Sequence, residues 1–247
     1  MKSPRITWIS ADDPPSAFPA IDAAFDAPDG LLAAGGDLSA DRLLYAYKHG
    51  IFPWFDDGQP ILWWSPDPRC VMYPADFHVS RRLRRSLRGS DFQIRFNTDF
   101  ESVIAACADS RTGQDGTWIT ADMIAAYKSL QADGWAHSVE VWRADRLVGG
   151  LYGLSIGKVF FGESMFSRTT NASKAAMLAL TRILEEEKFA LLDCQVESPH
   201  LLSLGAKLEP RQQFAAILAK SCSAATQFTA WPAKPSNIKE FLGDSLQ

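Results

Sequence analysis

Long apolar runs are missing from this chain: no wholly apolar stretch exceeds six residues, the length reached at 175–180 and 214–219. A bilayer-spanning helix needs about 18 or more, so none is expected. The first fifteen residues, MKSPRITWISADDPP, hold no apolar core of signal-peptide length and no small-residue cleavage site, which predicts a cytoplasmic location. Cysteine is scarce. The four thiols, Cys70, Cys107, Cys194 and Cys222, lie 37, 87 and 28 residues apart with no CxxC and no paired histidine spacing. Neither a zinc site nor a disulfide framework is expected, and each thiol reads as a small buried side chain. A nucleotide-binding glycine loop is absent too, so the expectation is no metal and no cofactor.

A basic excess is also lacking. The net charge of −4 over 247 residues excludes a general nucleic-acid coat. The charge is segregated, however: residues 1–80 carry a net −6, and the eight residues RRLRRSLR at 81–88 carry +5. Leu83 and Leu87, spaced i,i+4, can pin one side of such a helix to a core. Five arginines without interleaved glutamate lack the intrahelical ion pairs of a merely solvated helix, and guanidinium matches phosphate bidentately. The segment is either a solvated helix face or the contact for a polyanionic partner. With 47% hydrophobic and 22% charged residues, the composition is otherwise that of a globular protein of one large domain, or one medium domain with a smaller partner.

Residues 1–90 are rich in Pro and Gly and read as a smaller, loop-rich N-terminal domain. It holds one clear helix at 39–49, with Ser39 as N-cap, Leu43, Leu44 and Tyr47 as its apolar stripe and Gly50 as the stop. From 91 to 247 the pattern changes to a second domain of α/β alternation. A strand at 92–97 precedes helices at 99–109 and 120–132, and a meander of strands follows at 137–142, 147–156 and 158–162. A long helix at 171–188, a buried strand at 190–196, a short helix near 198–204 and a last helix at 211–220 complete it. The class is α+β, and the order resembles the mixed sheet of GCN5-related N-acetyltransferases. Members of that superfamily that use acetyl-CoA hold its pyrophosphate on an R-x-x-G-x-G/A loop. The corresponding stretch here, residues 167–173, contains one Arg and no glycine, which argues against that donor.

Two signals mark candidate chemistry. Asp193 and Gln195 alternate on an otherwise apolar strand, where an unpaired carboxylate costs several kcal/mol, so they are either satisfied structurally or functional. Glu163, directly after an apolar strand and Gly162, poses the same question. The second signal is aromatic. Trp54, Trp63, Trp64 and Trp118 fall in predicted loops, where they either stack on bases or build a small second core.

The motifs DGLLA at 29–33, GGDLS at 35–39, GIFPWF at 50–55, ILWWSPDPR at 61–69, GTWIT at 116–120, LVGGLYG at 147–153, FFGESMFSR at 160–168, NASK at 171–174, DCQV at 193–196 and SLGA at 203–206, together with residues 136–142, resemble those of bacterial leucyl/phenylalanyl-tRNA–protein transferases. The match departs only in the first 20 residues, at Asp29 and after Trp231. The resemblance implies transfer of Leu or Phe from aminoacyl-tRNA to the α-amine of proteins that begin with Arg or Lys, which marks them for N-degron degradation. It implies Asp193 and Gln195 as the catalytic pair and Glu163 near the acceptor. Trp54, Trp118, Leu151 and Phe160 would meet the aminoacyl-adenosine, and Arg81, Arg82, Arg84, Arg85 and Arg88 the tRNA backbone. Two rivals stand beside it: an aminoacyl-tRNA-dependent ligase of cell-wall precursors, and a non-catalytic RNA-binding module in which Asp193 is structural.

Overall fold

A computed structural model describes residues 6–109, 119–223 and 226–243. The N-terminal part is more regular than its Pro and Gly content predicts. Strands β1 (Thr7–Ile9) and β2 (Leu31–Gly35), helix α1 (Ala40–Lys48), and strands β3 (Phe52–Pro53) and β4 (Leu62–Trp64) build a four-stranded sheet of order β1-β2-β4-β3. Helix α1 starts where Ser39 accepts from the Arg42 amide, and it stops before Gly50, whose φ of 77° suits a residue without a Cβ. Arg42 is buried and reaches Asp37 at 3.1 Å and the Asp13 carbonyl at 2.7 Å, fastening the segment that follows β1.

The chain then enters the larger sheet through β5 (Arg69–Met72). The change of sheet therefore falls between Trp64 and Arg69, earlier than the boundary expected near residue 90. Helix α2 (Arg81–Arg88) is capped by Ser80 and buries Leu83 and Leu87. Strand β6 (Gln93–Phe96), helices α3 (Phe100–Asp109) and α4 (Ala121–Ala132), and strands β7 (Ala136–Arg143), β8 (Arg146–Ile156) and β9 (Val159–Ser167) follow. Ala144 and Asp145, with φ of 44° and 59°, make the tight β7–β8 turn that the right-handed twist of a hairpin favours. Helix α5 (Ala172–Glu186), strand β10 (Leu191–Gln195), helix α6 (Pro199–Ser203), strand β11 (Lys207–Glu209), helix α7 (Arg211–Ser221) and strand β12 (Ser236–Asn237) end the described chain.

The sheet order is β11-β5-β10-β9-β8-β7-β6-β12, antiparallel throughout except for the parallel pair β9 and β10. This is the expected α+β class, a mixed sheet with helices and a smaller N-terminal unit before it. Helix α5 lies on one face, with Ala175, Ala176, Ala179 and Leu180 fully buried, because small side chains let a helix approach a sheet closely. Helices α1, α3 and α4 share a second apolar cluster with β8 and β9. No helix among the described residues is long and apolar enough to cross a membrane.

Candidate active site

The parallel register of β9 and β10 runs from Leu191 opposite Val159 to Asp193 opposite Phe161 and goes no further. Each strand bulges just beyond that point. On β9, Gly162 pairs with Gly153 and Ser164 with Tyr152, which leaves Glu163 as the extra residue; on β10, Asp193 pairs with Val71 and Gln195 with Cys70, which leaves Cys194. A bulge adds one residue, bends its strand and re-aims the side chains around it. Gly153 makes the first bulge possible, since a Cβ there would stand 2.1 Å from the Phe161 carbonyl oxygen. Glu163 is thus inside a strand that continues to Ser167, not beyond the end of one as its sequence neighbours suggest. Gln195 has φ of 62°. The two polar residues of the 190–196 strand therefore do not alternate regularly, because the bulge intervenes.

The bulges bring Glu163 and Gln195 together. Gln195 Nε2 donates to Glu163 Oε1 at 2.8 Å, the Tyr47 hydroxyl donates to the same oxygen at 2.7 Å, and the Tyr127 hydroxyl donates to Oε2 at 2.8 Å. The Tyr47 and Tyr127 hydroxyls are also in direct contact. Burial pushes the Glu163 carboxyl up to about 7, aided by the charge of Asp193 and opposed by its three hydrogen-bond donors. Burial, reinforced by Glu163, holds both phenols well above their ordinary range, so they stay donors. Tyr47 and Tyr127 were not legible as site residues, because each occupies an ordinary apolar position on its helix.

Two cavities share Glu163, Cys194 and Val196 in their walls. The larger, of about 260 Å³, is otherwise mainly aliphatic, with Leu151, Met165, Met177, Leu192 and Leu201 in its lining. The smaller, of about 140 Å³, lies among Phe52, Pro53, Trp54 and Gln195. A partly protonated carboxyl thus stands between an apolar pocket and a narrower aromatic one.

Asp193 has no part in either lining. It is 0% exposed; Arg69 Nε and Nη2 meet its two oxygens at 2.8 and 2.7 Å, and its Oδ1 also accepts from the Gln195 backbone N–H at 2.9 Å. It holds the Gln195 main chain and does not meet the Gln195 amide. Phe160 is fully buried, with its ring against Trp231, and is not among the residues lining these two cavities. Leu151 does line the larger cavity. Among the tryptophans, Trp63 is buried with its Nε1 on the Gly35 carbonyl and Trp64 Nε1 donates to the Trp54 carbonyl; both pack into the apolar cluster that α1 shares with α3, α4, β8 and β9 and not into a small core of their own. Trp54 is 42% exposed at the mouth of the smaller cavity. Trp118 lies outside the described residues.

On α2, Arg81, Arg82, Arg85 and Arg88 are exposed, whereas Arg84 donates to the Leu242 carbonyl at 2.6 Å and helps to hold the C-terminal segment. Asn171 Nδ2 donates to Ser86 Oγ at 2.9 Å, joining α2 to the start of α5. A recess between the two helices is lined by Arg82 and Lys174. Lys174 is one helical turn from Met177 of the larger cavity, so α5 links the basic helix to that cavity.

The described residues contain no group of three or more His, Cys, Asp or Glu placed to hold a metal. Family models match at residues 71–219, described as leucyl/phenylalanyl-tRNA protein transferase, and at 36–67, described as the N-terminal domain of the same proteins. The chain is 55% identical over 213 residues to the leucyl/phenylalanyl-tRNA–protein transferase of Ectopseudomonas mendocina, covering 86% of this chain and 93% of that one. It is 55% identical over 231 residues to that of Chromohalobacter salexigens, covering 94% and 90%. With that of Pseudomonas syringae pv. syringae the identity is 53% over 229 residues, covering 93% and 99%.

Proposed function

The chain belongs to the leucyl/phenylalanyl-tRNA–protein transferase family and is an aminoacyltransferase, and we propose that the carboxyl of Glu163, set between two cavities, divides donor from acceptor. The aliphatic cavity takes the side chain of Leu or Phe esterified to tRNA, where burial against Leu151, Met165 and Met177 favours an apolar group. Trp54 offers a stacking face to the terminal adenosine. The acceptor is a protein that begins with Arg or Lys, and Glu163 ionises against its cation. Such transfer would mark the acceptor for N-degron degradation in the cytoplasm.

The reaction needs little beyond alignment. An aminoacyl ester is already activated. The neutral α-amine nitrogen attacks the ester carbonyl carbon, the bond from that carbon to the adenosine 3′-oxygen breaks, and the proton lost by the amine ends on the departing oxygen. Gln195 is not a base, since a neutral amide oxygen is hardly protonated near neutrality. With Nε2 committed to Glu163, its Oε1 is left to accept from the incoming amine and hold it in line. Asp193 acts through the Gln195 main chain.

The observation that carries this reading is the shared wall of the two cavities, with a hydrogen-bonded carboxyl at their junction. Helix α2 supplies the phosphate contacts. Replacing Arg81, Arg82 or Arg85 by Ala should lower the salt slope of log affinity for Leu-tRNA by roughly 0.7–0.9 for each arginine that meets a phosphate, while bound Leu-tRNA still transfers Leu to an Arg-initiated peptide. Unchanged slopes would return α2 to a solvated face. Binding without transfer would favour an RNA-binding module, and transfer only to a cell-wall precursor the other ligase.

A further inference from the structure

We infer that Arg69 is a positioning residue of this site: a single guanidinium ties the strand that carries Gln195 to the end of the helix that carries Tyr47, and so sets the two donors that converge on Glu163 Oε1. The inference rests on the transferase reading for its kinetic part only. Three N–H groups of Arg69 are used. Nε and Nη2 grip Asp193 in a fork, and Asp193 Oδ1 in turn holds the backbone N–H of Gln195 at 2.9 Å. Nη1 donates to the Gly50 carbonyl at 3.1 Å. Gly50 lies three residues beyond Tyr47, just past the end of α1.

The guanidinium has little room to shift. Phe52 and Phe214 lie 4.6 and 4.8 Å from its central carbon, and Arg69 is 1% exposed. Phe52 also lines the smaller cavity. Gln195 needs such a restraint because it is a non-glycine residue with φ of 62°, a conformation that persists only where the surroundings impose it. The Asp193 contact to its N–H is that imposition, and Arg69 fixes Asp193. Lysine cannot substitute, since a point-charge ammonium neither forks a carboxylate nor stacks as a plane between two rings.

The test compares the wild type with Arg69→Lys, which keeps the charge, and with the double variant Arg69→Met/Asp193→Leu, which removes both buried charges together and leaves neither unpaired. Two readings are taken on folded protein. One is transfer kinetics with Leu-tRNA and an Arg-initiated peptide; the other is the carboxyl titration of Glu163, followed by NMR in glutamate-labelled enzyme without substrate and assigned with Glu163→Gln. Loosened donors stabilise the carboxylate less, so Glu163 should titrate at higher pH in Arg69→Lys, whereas the double variant also loses the Asp193 charge that raises Glu163 and is read by its kcat and KM alone. In both variants kcat should fall tenfold or more, roughly, with KM for Leu-tRNA unchanged, because the aliphatic cavity is built by other elements. An Arg69→Lys enzyme that keeps the wild-type kcat and the wild-type titration would overturn the inference. If Arg69→Lys does not fold, the double variant decides by kcat: a wild-type kcat there would overturn the inference. A shifted titration in an enzyme whose wild type transfers nothing would uphold the positioning role and overturn the transferase reading instead.

Discussion

Gln195→Ala should lose on the order of 100-fold in kcat while its affinity for Leu-tRNA stays near that of the wild type. The side chain touches Glu163 and lines the smaller cavity, and it contributes nothing to the aliphatic cavity or to α2. Its removal therefore leaves donor binding intact and takes away the acceptor that aligns the amine. An error of about 1 Å in such an alignment can cost 10²-fold. Gln195→Glu provides a control of a different kind, because it places a second carboxyl against Glu163 and should raise the pH at which that residue ionises. Single-turnover transfer from bound Leu-tRNA measures the step directly. A Gln195→Ala enzyme with wild-type kcat would remove Gln195 from the site.

The second large effect belongs to Glu163 and depends on pH. The carboxyl is held up to about 7 by burial, so below neutrality it is mostly protonated and has no charge to offer a cationic acceptor. The acceptor α-amine, with an ordinary value of about 7.7–8.0, must itself be neutral to attack. Both requirements favour higher pH. For an Arg-initiated peptide, log kcat/KM should rise with a slope approaching two below pH 7, continue with a slope near one to about pH 8, and then level off. Glu163→Gln lacks the first group, so its profile should rise with a slope of one up to about pH 8 and then level off, at a lower kcat/KM than the wild type. A profile for Glu163→Gln that still shows two ionisations would mean that another group carries the acceptor's charge recognition.

Local signals in the sequence were enough for much of this architecture. Ser39 and Gly50 bracket α1, Ser80 with Leu83 and Leu87 defines α2, and the Ala144–Asp145 turn separates β7 from β8. What stayed hidden is what depends on long-range pairing. Strand β5 has four residues and follows two prolines, so neither periodicity nor length marks it, yet it carries Arg69 to Asp193 across 124 positions of sequence. Asp193, an acid on an apolar strand, reads from the sequence as either structurally satisfied or functional. Its partner was invisible, and the partner is what makes it a clamp. Tyr47 was legible as part of the apolar stripe of α1, but its hydroxyl acquires a role only when β9 bulges beneath it. Phe160 and Glu163 share one motif, and the bulge between Gly162 and Ser164 sends Glu163 to the cavities while Phe160 stays in the core.

The central claim is that a buried, hydrogen-bonded carboxyl selects the acceptor by its charge. The measurement that meets it most directly is kcat/KM of the wild-type enzyme, charged with Leu-tRNA at pH 8, for peptides that differ only in their first residue. Arg and Lys should both serve, because Coulomb attraction tolerates either cation, and Ala should be poorer by roughly tenfold or more, because an ionised Glu163 would be left in a closed site without its partner. Equal use of Arg-, Lys- and Ala-initiated peptides would contradict it.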